Sequence, residues 1–216
     1  KVGQGTRCVG DCLSLANEDM QTKTALMEAR FLCGQDAAFK EFRARFDGEC
    51  MKGREGDFLK LRQEDLATRH AKHGGTHCVQ EPNVKSGCGG LRDYQNLIWM
   101  SYAKLRTLNP KELVQKGLMT PAGWRELEEA YDVILRARNE MHYTERRASD
   151  ILTLRLQGFV EKGAGFGLAG PQVEIGGQDL GQPLIDRIAE RSDHDRHRCC
   201  QCDTGQHAGG CDHGMS

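Results

Sequence analysis

The chain has 216 residues, 38% of them apolar and 28% charged, with a formal net charge of −1. That composition suits a globular protein of one sizeable or two small domains, and no general affinity for nucleic acid or membrane follows from its balanced charge. No apolar run approaches the ~20 residues of a membrane-spanning helix and no secretory signal opens the chain. Six scattered cysteines, Cys8, Cys12, Cys33, Cys50, Cys78 and Cys88, therefore read as reduced thiols of a cytoplasmic protein.

In chain order, Asp11 to about Cys33 reads as a first helix. Asp11 caps it, Leu13, Ala16, Met20, Met27 and Phe31 share a face, and Gly34 ends it. A second helix begins at Asp36 and carries Phe39, Phe42 and Phe46 at i, i+3, i+7 spacing. The polar stretch Gly48–Gly56 reads as a connection. Asp57 to about Lys72 reads as a third helix with Phe58, Leu61 and Leu66 inward, its dense charge forming a solvated face. Gly74-Gly75 breaks that pattern. Thr76 to Val84 is β-prone but contains Pro82, which confines it to a sheet edge or ends it at Glu81. Leu91 then opens a helix striped by Leu91, Tyr94, Ile98, Tyr102 and Leu105. Asn109-Pro110 starts a short helix ending at Gly117, and Thr120-Pro121 starts a long one. Trp124, Leu127, Tyr131, Ile134, Leu135, Arg138 and Met141 mark the inner face of the long helix.

The chemistry concentrates between Glu81 and Asp93, in Glu-Pro-Asn-Val-Lys-Ser-Gly-Cys-Gly-Gly-Leu-Arg-Asp. Three glycines, Gly87, Gly89 and Gly90, lead from Lys85 into a helix N-terminus. Glycine lets backbone amides approach a ligand, and a helix N-terminus and a lysine both favour negative charge. That set suits a phosphate, and the carboxylate of Glu81 suits a divalent cation on it. It is not a Walker A loop, since no GxxxxGK[ST] occurs, and a plain turn is the other reading of the same residues. Arg138 and His142, four apart on the long helix, either face the same ligand or form an interhelical polar cluster.

The stretch EPNVKSGCGGLRDYQNLIW resembles the E-P-N-[IVL]-K-x-G-x-G-G-L-R-D segment of PII uridylyltransferases, and weaker likeness runs from Lys1 to Gln157. The resemblance implies an α+β, mainly helical fold. Residues 1–90 would be the C-terminal remainder of a polymerase β-like nucleotidyltransferase domain, 91–160 a helical domain, and 161–216 an irregular tail. It implies transfer of UMP from UTP to a tyrosine of a PII signalling protein, with Mg²⁺. Glu81 would be the third acidic, metal-binding catalytic residue. Lys85 would touch the triphosphate, Gly87, Gly89 and Gly90 would pack close to the nucleotide, and Arg92 and Asp93 would brace the loop or contact the nucleotide. Cys88 stands where the family usually has proline. In that family the metals are held mainly by a D-x-D pair after a Gly-Ser turn. None precedes Glu81, and the chain opens on Lys1 rather than Met, so the expectation is an inactive piece of a transferase.

The tail holds Cys199-x-x-Cys202 with His197, His207, Cys211 and His213 nearby. These residue types bind zinc, although the spacing matches no familiar zinc module; a frame-shifted or misassembled, disordered C-terminus is the preferred expectation, with a zinc knuckle or an unstructured natural tail as the alternatives. A non-catalytic helical module that binds a nucleotide or a partner, with or without zinc on this tail, is the alternative to a transferase.

Overall fold

The computed structural model describes residues 5–163, so the cysteine- and histidine-rich tail lies outside the described residues. Among those residues the chain is mainly helical, with eight α-helices, one π-helical turn and no β-strand. The sheet expected of an α+β domain is therefore not found there. The β-prone segment forms only an isolated antiparallel bridge, Asn83 to Ile151. Its two flanking bonds run from the Val84 amide to Asp150 O, 2.8 Å, and from the Leu152 amide to Pro82 O, 2.9 Å. Pro82 has no amide to extend the ladder, so Glu81 does not stand at a strand end.

The first expected helix is two. Helix α1, Val9–Glu18, starts two residues before Asp11, and its cap is Cys8, whose Sγ accepts from the Asp11 amide. At Asp19 the backbone is extended, and its carboxylate accepts from the Thr22 amide at 2.6 Å to begin α2, Met20–Met27. An Asp whose side chain competes for backbone amides breaks a helix and restarts it. Helix α3, Asp36–Phe46, runs directly into the π-helical turn Asp47–Met51. The widened turn carries Cys50 and Met51 inward to complete burial, where sequence polarity suggests a loop. Phe31, Phe39, Phe42, Phe46 and Tyr102 form a chain of tilted ring contacts from the surface to the core.

Helix α4, Glu55–Lys72, has acids in its first turn and Arg69, His70 and Lys72 in its last, which matches the helix dipole. Leu59 rather than Leu61 faces inward, at 3% against 50% exposure. Its charge is not all solvated either, because Arg62 is buried. Helix α5, Leu91–Leu105, is central and buries Leu97, Trp99, Met100, Tyr102 and Ala103. Helix α6, Lys111–Gln115, is short, and α7, Pro121–Glu145, is the longest. Thr120 caps α7 by accepting from the Gly123 amide at 3.0 Å, with Pro121 in the first turn. Thr120→Ala is expected to lower stability by about 1 kcal/mol, read as a shift of the urea midpoint; an unchanged midpoint would show that Pro121 alone sets the start.

Two cores result. The larger joins α1, α2, the π turn, α4, α5 and Leu113 of α6, so it draws on both sides of residue 90. The smaller gathers Val84 with Ala137 and Met141 of α7 and Leu156 and Val160 of α8, Leu154–Gly163. Tyr94 stacks on Tyr131 with centroids 4.1 Å apart, coupling α5 to α7. The Gly-rich loop connects Val84 of the smaller core to α5, which carries much of the larger one.

Candidate functional site

The loop is built around Asn83, whose Oδ1 accepts from the amides of Lys85 and Ser86 at 3.1 and 2.7 Å. This Asx turn folds the chain back so tightly that two glycines are required by contact. A Cβ on Gly87 would stand 2.8 Å from Asn83 O, and one on Gly90 would stand 2.9 Å from Lys85 O and 3.0 Å from Gly87 O. Gly89 has open space around it but a φ of +74°, the left-handed region that favours glycine.

The backbone amides that a phosphate would use are engaged within the loop. Leu91 N donates to Val84 O at 3.0 Å, Arg92 N to Lys85 O at 2.8 Å and Asp93 N to Gly90 O at 2.9 Å. The Gly89 amide donates to Asp93 Oδ2 at 2.8 Å. In this conformation the N-terminus of α5 is closed by its own loop, and the groups left for a ligand are side chains.

Asp93 is the keystone. It is 9% exposed; Arg69 Nη2 donates to its Oδ1 at 2.6 Å, and His70 Nε2 lies 2.9 Å from its Oδ2. Arg69 Nη1 also donates to Ser86 O at 3.1 Å. Thus α4, the loop and α5 are tied through one carboxylate. Arg92 does not share this network: its guanidinium lies over the Trp99 ring, 5.4 Å from the centroid, and Arg62 lies over the same ring at 4.9 Å. Arg69 and His70 are absent from the motif-based reading. The available signal is the Leu59, Arg62, Leu66, Arg69 stripe at 3-4-3 spacing on α4, which places both arginines on the inward face.

Lys85 reaches toward α7. Its Nζ lies 3.6 Å from Asp150 Oδ2, while Arg138 Nε donates to Asp150 Oδ1 at 2.7 Å and His142 Nε2 stands 3.6 Å from the same oxygen. Burial alone would raise the Asp150 pKa, but the Arg138 hydrogen bond and the charges of Arg138 and Lys85 outweigh it and hold the carboxyl below its ordinary value. Asp150 belongs to no motif and is found only through the fold.

Glu81 is exposed, and its Oε1 accepts from the Leu154 amide at 2.9 Å, which places it at the start of α8. No group of three His, Cys, Asp or Glu side chains among the described residues is arranged to hold a metal ion. Mg²⁺ at Glu81 would need carboxylates from outside those residues. Beside Glu81 is a cleft of about 120 Å³ lined by His73, His77, Pro82, Gly87 and Cys88 among others. That is below the ~300 Å³ lower range of small-molecule pockets and fits an ion-sized group rather than a nucleotide.

The comparisons with known proteins agree with this part of the chain. The family model of the GlnD PII-uridylyltransferases matches residues 57–175, which includes most of α4, the loop and α5. A bifunctional uridylyltransferase/uridylyl-removing enzyme of Rhodopseudomonas palustris is 36% identical over 157 residues, which cover 73% of this chain and 17% of the relative. The chain thus spans about a sixth of that relative's length. No solved structure matches it. The loop's glycines, its Asx turn and its buried carboxylate fall inside the matched segment, and by these matches the chain belongs to the PII-uridylyltransferase family.

Proposed function

We propose that this chain is part of an enzyme that transfers UMP from UTP to a PII-type signalling protein, with Mg²⁺ at the reacting phosphates. Family membership carries the reading, and the folded Gly-rich loop gives it a structural content. In-line displacement at phosphorus needs metal ions on the attacking and leaving oxygens. Glu81 is the one carboxylate offered for that role, so partner carboxylates must come from elsewhere in the complete enzyme. Helices α1–α4 would back a nucleotidyltransferase sheet that lies outside the described residues. Lys85 would contribute charge to the triphosphate. Gly87, Gly89 and Gly90 let the loop fold closely, and Asp93 holds it in place, with Arg92 beside it on Trp99.

Two assays test this. The purified 216-residue chain with labelled UTP, Mg²⁺ and a PII protein is expected to give no labelled product; labelling would show that the chain needs no further carboxylates. Residues 80–93, transplanted into the Rhodopseudomonas palustris enzyme, are expected to support uridylyl transfer. In that chimera Lys85→Ala should raise the KM for UTP by about tenfold, the equivalent of ~1.4 kcal/mol. A folded but inactive chimera would remove the loop from the reaction. It would favour the alternative of a non-catalytic binding module, which the closed α5 N-terminus also favours.

A further inference from the structure

We propose that Lys85, Arg138 and His142 form a site for a phosphate-class anion, in which Asp150 gathers the cationic side chains and competes with the ligand for them. Lys85 comes from the loop, Arg138 and His142 from α7, and Asp150 from the segment before α8. The segment is locked to the loop by the Val84 amide on Asp150 O at 2.8 Å, so the register that brings Lys85 to α7 is set by backbone.

Three observations separate this cluster from a closed ion-pair network. First, one carboxylate faces three basic side chains, which leaves a positive surplus with His142 neutral or charged. Nearby Glu145 does not cancel it, being paired with Arg147 and Arg155. Second, only Arg138 is bound at hydrogen-bond distance; Lys85 and His142 both stand off at 3.6 Å. His142 Nε2 is a buried atom without a hydrogen-bond partner among the described residues, and such an atom is costly unless a partner arrives. Third, the Lys85 and Arg138 side chains are 36% and 24% exposed, so an anion can reach them from solvent. A tetrahedral anion offers several acceptor oxygens at once, which suits the converging donors of Lys85, Arg138 and His142.

The source of the anion rests on the transferase reading, in which it is a phosphate of the nucleotide or released pyrophosphate. The site itself does not, and its test uses the 216-residue chain without any transfer step. Calorimetric titration with sodium pyrophosphate is expected to show binding, tightened about tenfold by Asp150→Asn, which removes the competing charge. Lys85→Gln added to Asp150→Asn should abolish the gain, while Asp132→Asn, on the exposed Asp132–Arg136 pair of α7, should leave affinity unchanged. A purely structural Asp150 predicts weaker binding or none in Asp150→Asn, and a general charge effect predicts the same gain from Asp132→Asn; either result overturns the site. If Asp150→Asn loses its helical circular dichroism, Lys85→Gln and His142→Gln decide alone: each should weaken pyrophosphate binding at least threefold, and unchanged affinity in both overturns it. UTP binding tighter than pyrophosphate assigns the site to the nucleotide, and equal binding assigns it to the free anion. Pyrophosphate binding together with an inactive loop chimera would keep the site and remove the transferase reading.

Discussion

Asp93→Ala is expected to destabilise the protein by about 3–5 kcal/mol, because removing one partner of a buried ion pair leaves the other charge uncompensated. The Arg69 and Asp93 side chains are 11% and 10% exposed, so Arg69 has little access to water when its partner is lost. The same change frees the Gly89 amide and the His70 ring. Asp93→Asn keeps an acceptor for some of these donors and should cost less than the alanine. Urea unfolding followed by circular dichroism gives the values, and the double variant Arg69→Ala/Asp93→Ala should be well short of the sum of the singles. A loss under ~0.5 kcal/mol for Asp93→Ala, the size of an ordinary surface substitution, would mean that Arg69 swings out to solvent and that the carboxylate is not what holds the loop.

Gly90→Ala should rank next, at about 3 kcal/mol, the upper end of the cost of adding a methyl group to closely packed surroundings. The atoms it would meet are the carbonyls of Lys85 and Gly87. Backbone atoms cannot rotate away as a side chain can, so the loop must open and loosen the bonds from Leu91 N to Val84 O and Gly90 N to Gly87 O. Gly89→Ala meets no atom within 4 Å and bears only the cost of its φ of +74°, about 1–2 kcal/mol. The order Gly90 above Gly89 is the diagnostic, measured by urea midpoints on the two variants. The reverse order would mean that the loop relaxes around a methyl group at Gly90, and that the close backbone approach is not what excludes a side chain there.

Several features were legible in the sequence because they depend on neighbours along the chain. The starts of α5 at Leu91 and of α7 after Thr120-Pro121 are local cap and proline signals. So are the break at Gly74-Gly75, both at positive φ, and the end of the short helix at Gly117. The Gly-Cys-Gly-Gly run marked a tight loop, and the surrounding motif indicated the family. Other features were not legible. The strand expected before the loop needs a partner strand, and the described residues offer only the segment around Ile151. The π-helical turn at Asp47–Met51 follows from which side chains the core accepts, since Cys50 and Met51 are drawn inward despite polar neighbours.

The sequence by itself determined the family, the mainly helical character and the place of the loop, because each rests on residue identity at short spacing. Only the tertiary structure decided what the loop's charged residues face. Asp93 meets Arg69 and His70 from 24 and 23 residues away, and Lys85 meets Asp150 across three intervening helices. Periodicity can place a residue such as Arg69 on an inward face, but it does not name the partner; burial and packing select which of the many charged side chains meet.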